Sequence, residues 1–347
     1  MASLPSHLEA REAAGAVQRL WALTRSQVVD DAAAATAPWP RLLLHWHDEA
    51  PSKLKTALVR AREAKLAAEL TLVRRACQVS GEAHAALMRA TRAGVLEGQL
   101  AALFAFYVGV RGCRHLGYEP IVGSGARAAI LHYRANERVL EDGQLVLVDA
   151  GGELRGYTAD ITRTFPVSGR FTDEQRRLYA LVLRLQLAAI ARCRVGADYR
   201  QDVMLPTARQ LCEELVNEGL LRGVTAAEAH AKSLDRLFMP HGLGHCVGLD
   251  VHDCATYPTM PLTEGSLVTI EPGLYFNAAL LLPALEDKER ASFLDVERVQ
   301  SGLRHVGGIR IEDIVLVTRH GPEVLTSAAP KEVDDIERLM LSGRHSS

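Results

Sequence analysis

The sequence has no excess of either charge: 40 Lys and Arg stand against 42 Asp and Glu, a formal net charge of -2. That excludes the basic field of a nucleic-acid binder and the acidic block of a solvating tail. Paired cysteines are lacking too. The six present (Cys77, Cys113, Cys193, Cys212, Cys246, Cys254) form no CxxC motif and no framework spacing, which fits a reducing compartment better than a disulfide scaffold. No run approaches the ~18 uncharged apolar residues of a membrane helix. Met1 to Leu20 carries acids and bases where a signal peptide would have an apolar core. The expectation is a cytoplasmic protein with no membrane and no nucleic-acid partner. What remains is 347 residues, 48% hydrophobic, enough for a sizeable core and one or two domains.

Residues 1 to about 92 read as helical, over His7 to Leu23 and Ser52 to Arg92, with an Ala-Thr-Pro linker at Ala33 to Pro40. From Leu66 the apolar positions Leu66, Leu70, Val73, Ala76 and Cys77 fall at helical spacing. A second helix is expected over Ser80 to Arg92 and a third over Leu96 to Val110, with Gly94 at the break. After Tyr118 the texture changes to short strands and glycine turns. Glu119 to Gly125 and Ala128 to Tyr133 read as strands around a hairpin, Leu145 to Val148 as a buried strand, and Asp160 to Phe165 as an alternating one. Thr172 can cap a long helix to Cys193, with Asp173 and Glu174 in its first turn. Helices are expected at about Gln201 to Glu218 and Ala226 to Leu237, and strand texture again from Val247 through Thr318.

The most informative feature is an internal echo. Asp142-Gly-Gln-Leu-Val-Leu-Val-Asp149 matches Glu264-Gly-Ser-Leu-Val-Thr-Ile-Glu271: an acidic-Gly turn, then an apolar strand ending in a carboxylate. A weaker echo relates Ala159-Asp160-Ile161-Thr162-Arg163-Thr164 to Ile311-Glu312-Asp313-Ile314-Val315-Leu316, and Asn277 to His305 accounts for the wider spacing there. Two halves that each carry two acids at matching places predict a pseudo-symmetric fold with its site at the junction.

A carboxylate within an apolar strand is expensive to bury unless it is paired or bound to a cation. Arg163 and Arg310 are the only strand arginines near these four acids in sequence. Taken singly, each acid is as easily a solvent-facing strand residue; the repeat favours their acting together on divalent ions. His241, His245 and His252 fall within twelve residues among glycines that allow close backbone approach. The histidine spacing alone is a weak signal, since this stretch does not read as the helix of a zincin motif. Three other features have plainer readings. Cys246 is a small buried hydrophobe, Gly123-Ser-Gly125 a turn and no phosphate loop, and His45-Trp46-His47 has no acidic neighbours to complete a metal site.

With these residues in view, Asp149 and Asp160, His241-Gly-Leu-Gly-His245, Thr269-Ile-Glu271-Pro-Gly and Gly308-Ile-Arg310-Ile-Glu312 resemble the ligand set of the pita-bread metallopeptidases: methionine aminopeptidase, aminopeptidase P, prolidase and creatinase. The nearest resemblance is to proline dipeptidase (prolidase). It covers roughly Leu70 to Thr326, including His132-Tyr133, Phe238-Met-Pro-His241 and Ala291-Ser-Phe-Leu294. It implies an α+β pita-bread fold: a pseudo-twofold antiparallel sheet with helices on its outer face. The implied organisation is a short, mainly helical region at 1–65, the catalytic domain at 66–330, and a C-terminal helix and tail at 331–347. It implies two divalent ions, manganese first with cobalt, zinc or iron as alternatives, held by Asp149, Asp160, His245, Glu271 and Glu312. The implied activity is hydrolysis of Xaa-Pro bonds, above all in dipeptides, by a water activated between the ions. Glu271 would shuttle a proton, His252 would stabilise the carbonyl oxygen, and His132 and His241 would line the leaving-residue side. Arg310 would pair with the substrate's free carboxylate and Tyr118 would line the cleft.

Two departures from the prolidase pattern bear on the substrate. Only about 65 residues precede Leu66, which weakens the expectation of a homodimer. The segment Asp253 to Ile270 has no arginine or lysine, where the prolidase pattern has an arginine for the substrate carboxylate. Losing one charge-assisted contact costs on the order of 1.5–3 kcal/mol of binding. The alternatives are therefore an impaired or non-catalytic relative, or aminopeptidase P-like cleavage of longer Xaa-Pro peptides.

Overall fold

The computed structural model describes residues 50–253 and 257–344. The expected helix His7 to Leu23, the linker Ala33 to Pro40, His45-Trp46-His47 and Cys254 lie outside the described residues. The chain divides into two units between Arg62 and Glu63. The first is described from the helix Ala50–Glu63 (α1), which runs up to that boundary.

The second unit opens with α2 (Ala67–Ala90) and α3 (Glu97–Gly109). Two helices were expected where α2 runs unbroken, because Ser80 and Gly81 do other work than stopping it. The Ser80 hydroxyl accepts from Gly152 N at 3.0 Å. A Cβ at Gly81 would lie 2.8 Å from Ala328 Cβ and 2.9 Å from Ala329 N, so this glycine lets a neighbouring chain approach. Then come β1 (His115–Leu116), β2 (Ile121–Ser124), β3 (Leu145–Asp149), β4 (Gly152–Leu154), β5 (Tyr157–Thr158) and β6 (Thr162–Pro166). The strand expected from Ala128 to Tyr133 is absent. Gly125, at φ 54°, turns the chain into a 3-10 segment over Gly125–Ala129.

The middle of the chain is helical: α4 (Asp173–Arg192), α5 (Leu205–Asn217) and α6 (Ala226–Ala231), with a π turn at Tyr199–Met204 and a 3-10 turn at Leu234–Leu237. Thr172 caps α4 as expected, accepting from Gln175 N at 3.2 Å. Then β7 (Leu267–Ile270) and β8 (Gly273–Tyr275) precede α7 (Ala278–Glu286), α8 (Lys288–Phe293) and α9 (Val296–His305). The strand texture expected through this stretch is broken by these three helices. Asn277, Asp287 and Asp295 cap them by accepting from backbone N–H groups two or three residues on. The chain closes with β9 (Gly308–Arg310), β10 (Asp313–Thr318), β11 (Gly321–Val324) and α10 (Val333–Arg344).

Every strand pair is antiparallel, in sheets ordered β2-β3-β6, β11-β10-β7, β1-β4-β5 and β8-β9. The two main halves meet where Thr162 bridges Glu312 and the Thr164 hydroxyl donates to Arg310 O at 3.0 Å. Val148 sits opposite Arg163 in the first half, and Ile270 sits opposite Asp313 in the second. With Asp149 matched to Glu271, the register makes Thr162 the counterpart of Glu312 and Arg163 that of Asp313. The weaker sequence echo was thus two residues out of step. The buried cluster joins both faces of this arrangement, from Val146, Val148 and Phe165 on strands to Phe104, Leu178 and Leu211 on helices. Burying such a contiguous apolar set at about 25 cal/mol per Å² is the main stabilising term.

Candidate metal centre and its cleft

Five side chains converge from strand ends. Asp149 ends β3, Asp160 precedes β6, Glu271 follows β7, Glu312 precedes β10, and His245 comes from the loop before β7. Asp149, Asp160, His245 and Glu312 are buried, with exposures of 9%, 4%, 5% and 2%. Asp160, His245 and Glu312 each bring a donor atom within 4.8 Å of the other two. His245 Nε2 lies 3.3 Å from Asp160 Oδ2 and 3.5 Å from Glu271 Oε1.

The donor set can be tested against a divalent cation from its own geometry. His245 Nδ1 is 3.0 Å from Cys246 O, so Nδ1 carries a proton toward that carbonyl. The Nε2 lone pair of a neutral ring then faces two carboxylates, which is repulsive unless a proton or cation lies between. The Tyr118 hydroxyl sits 2.6 Å from Asp149 Oδ1 and 2.6 Å from Asp160 Oδ1, yet one hydroxyl proton satisfies only one oxygen. Protons respond to this crowding. Burial, reinforced by Asp160, Glu271 and Asp149, pushes Glu312 well above the carboxylate range. Burial likewise raises Glu271 to about 7, against the opposing pull of His245 and Arg310. Burial raises Asp149 too, although Arg310 pulls it down. His245 is carried the other way: burial disfavours its charge, but Asp160 and then Glu271 lift it to about 9. A pocket that must hold extra protons in this way fits divalent ions on oxygen and nitrogen donors.

Around the donors is a cleft of about 440 Å³, whose lining includes Ile121, Leu131, Val251 and Tyr257. His132 and His252 are exposed on its wall, and the His252 ring centroid is 4.1 Å from that of His245. Burial, then the neighbouring His245, lowers the pKa of His252. His241 is half-buried; its Nδ1 donates to Gly242 O at 2.6 Å and its Nε2 accepts from Tyr275 Oη at 2.8 Å. Burial, then Arg310, holds His241 down to about 3, a neutral ring.

Arg310 stands differently from its expected substrate role. Its Nη2 donates to Asp149 Oδ2 at 2.6 Å, Nη1 to Tyr275 Oη at 2.9 Å and Nε to Thr162 Oγ1 at 3.1 Å. The guanidinium therefore braces the acids from behind, with every nitrogen engaged. Arg134, also in the lining, is exposed and faces an exposed Glu119 at 3.6 Å. Among the described residues lining the cleft, no lysine or arginine stands clear of an acid. The sequence reading missed three groups: Tyr275, Thr162, which donates to Glu312 Oε2 at 2.6 Å, and Thr269, whose hydroxyl accepts from His245 N at 2.9 Å. Thr162 and Thr269 sit inside echoed strands, and that was the available signal. Tyr275 had none.

Residues 71–319 match Metallopeptidase family M24. Over 310 residues the chain is 37% identical to "Probable Xaa-Pro aminopeptidase pepP" of Talaromyces marneffei, covering 84% of this chain and 66% of that protein. The aminopeptidase P of Escherichia coli, solved with the inhibitor Pro-Leu, superimposes with a TM-score of 0.73 at 36% identity, over 82% of this chain and 61% of that one. Aminopeptidase PepP of Pseudomonas aeruginosa gives a TM-score of 0.76 at 35% identity, over 88% of this chain and 69% of that one. The chain thus spans just under two thirds of that curated relative. Its fold is the pita-bread fold of these aminopeptidases. The narrower resemblance to prolidase gives way, since these similar proteins are named for Xaa-Pro aminopeptidase activity. No helix among the described residues is long and apolar enough to cross a membrane.

Proposed function

Because the chain belongs to metallopeptidase family M24, we propose that it is a metal-dependent exopeptidase that removes the residue ahead of proline from peptides longer than a dipeptide. The carrying observation is the cleft itself: a donor set that must hold extra positive charge, a lining that includes apolar side chains, and a buried arginine, Arg310, already paired with Asp149 instead of free for a dipeptide's carboxylate. A proline carboxylate would meet Arg310 already spent on Asp149. A peptide that continues past proline needs no such clamp.

In this reading Asp149, Asp160, His245, Glu271 and Glu312 hold two divalent ions, manganese being our choice. When bound, such ions polarise the scissile carbonyl and make water nucleophilic near neutral pH. Glu271, within 3.5 Å of His245 Nε2, would take a proton from the attacking water and pass it to the leaving nitrogen. His252, exposed beside His245, would donate to the carbonyl oxygen as charge develops there. His132 and the neutral His241 would line the proline side, with the ring against Ile121, Leu131, Val251 and Tyr257. Tyr118 would keep Asp149 and Asp160 in place, and Arg310 would act from behind the acids.

The test compares, with Mn2+ present, release of the first residue from an Xaa-Pro-Xaa tripeptide with release of proline from Gly-Pro. Turnover of the tripeptide well above the dipeptide is expected. Equal or faster dipeptide cleavage would restore the dipeptidase reading. Turnover of neither, with metal bound, would leave no peptidase.

A further inference from the structure

A second group of metal-type donors lies in the helical layer, on elements that supply none of the five donors above. Cys212 on α5, His230 on α6 and Asp235 in the 3-10 turn that follows each offer one donor atom, all within 4.8 Å of one another. Cys212 is fully buried, and the Asp235 side chain is nine-tenths buried at 10% exposure. His230 Nδ1 and Asp235 Oδ1 are both shielded from solvent and have no hydrogen-bond partner. They face each other at 4.0 Å, too far for a hydrogen bond. Two orphaned polar atoms and a thiol pointing at one spot call for a common partner, since a buried donor or acceptor left unmet costs roughly 1–3 kcal/mol.

We propose that Cys212 Sγ, His230 Nδ1 and Asp235 Oδ1 form a separate site for one ion of the zinc class. A mixed sulfur, nitrogen and oxygen set of three suits a tetrahedral ion, and the all-oxygen preference of magnesium or calcium does not match it. A water entering with the ion would take the fourth position, and His230, whose side chain keeps 28% exposure, is the member of the group nearest the surface. Binding displaces the thiol proton to solvent. Without an ion that proton stays on, because burial, then Asp235, pushes the Cys212 thiol up to about 12. The ion would staple α6 and its following turn to α5.

Cobalt separates this site from the cleft, because thiolate-to-cobalt charge transfer requires a sulfur ligand and the cleft's donors are oxygen and nitrogen. The full chain, stripped of metal and titrated with Co2+, should show that band with one equivalent of metal beyond what the cleft takes. Cys212→Ser should abolish it, His230→Ala should weaken cobalt binding at least ten-fold, and Cys246→Ser should leave it intact. Should Cys212→Ser fail to fold, His230→Ala, at a partly exposed position, carries the test alone, with an unchanged circular dichroism spectrum as control. Saturation without a thiolate band would overturn the site. So would a band that survives Cys212→Ser and is lost in Cys246→Ser.

Discussion

The two halves of the sheet share a backbone plan and differ in what they carry at matched positions. Opposite the strand that ends in Asp149, the first half has Thr162 and Arg163; the second half has Glu312 and Asp313 at the equivalent register. Each residue meets its own counterpart. Thr162 donates to Glu312 at 2.6 Å, and Arg163 Nη2 meets Asp313 Oδ1 at 2.6 Å with both side chains fully buried. Perfect copying would have placed two acids or two bases face to face across the junction. The departure from symmetry in charge is therefore what lets a symmetric backbone close, and it puts Glu312 opposite the Thr162 hydroxyl instead of a second acid.

Breaking the acid side of the comparison should have the largest effect. Glu312→Ala removes the charge and its hydroxyl partner's target at once. Metal content is expected to fall and kcat/KM to drop by more than about a hundred-fold, read by metal analysis on dialysed protein alongside tripeptide turnover. Retention of two ions would show that Glu312 is not a ligand. Asp160→Ala should behave alike.

Breaking the Arg163–Asp313 pair comes next, and its readout is stability. Arg163 also donates to Glu312 O at 2.6 Å and Ala329 O at 2.9 Å. Arg163→Met should destabilise by about 3–5 kcal/mol, at the lower end because Lys331 remains 2.7 Å from Asp313. Urea unfolding measures this, and a loss under about 1 kcal/mol would mean the halves do not depend on the pair.

The subtlest change at the junction is Thr162→Val, which keeps shape and deletes one hydroxyl. That hydroxyl donates to Glu312 and accepts from Arg310. Metal affinity or turnover should fall roughly 10- to 100-fold while stability changes by no more than about 3 kcal/mol. An unchanged metal affinity would reduce Thr162 to packing.

The reach of sequence reasoning follows the same division between local and distant causes. The helix after Thr172 and the strand ending in Asp149 were legible because cap, charge and apolar run all lie within a few residues. The helices after Asn277, Asp287 and Asp295 were legible in principle from their caps, but the surrounding strand texture outweighed them. The unbroken run of α2 through Gly81 and the turn at Gly125 were not legible, because these glycines' roles are set by Ala328 and by a positive φ, neither visible in a local pattern. At the site, the four acids Asp149, Asp160, Glu271 and Glu312 stood out in advance because carboxylates beside apolar strand runs are conspicuous, whereas His245 was singled out by the family resemblance. Arg310 was assigned a role facing the substrate because register and counter-charge are properties of the assembled halves. Tyr275, which fixes both Arg310 and His241, is invisible until the chain is folded.

The smallest effect distinguishes the halves by acid sensitivity. In the first half, His84 Nε2 donates to Ala150 O at 3.0 Å, next to Asp149, and its Nδ1 is buried without a partner. Burial lowers its pKa to about 3 from 6.5. Unfolding therefore takes up a proton between those values, and stability falls as pH drops below about 6.5, by up to about 1.4 kcal/mol per unit. In the second half, burial opposes the charge on Asp313, but Arg163, then Lys331, hold it below the carboxylate range. Its contribution is present above its ordinary value of 3.8 and is lost as pH falls below it. The upper part of the acid transition should thus belong to His84 and the lower part to Asp313. His84→Gln keeps a donor for Ala150 without a titrating ring, at a cost of about 1 kcal/mol near pH 8. It should flatten the stability profile between about pH 6.5 and 4 while leaving the steeper loss below 4. A variant whose profile stays parallel to the parent through pH 5 would show that the first half's acid response comes from some other group.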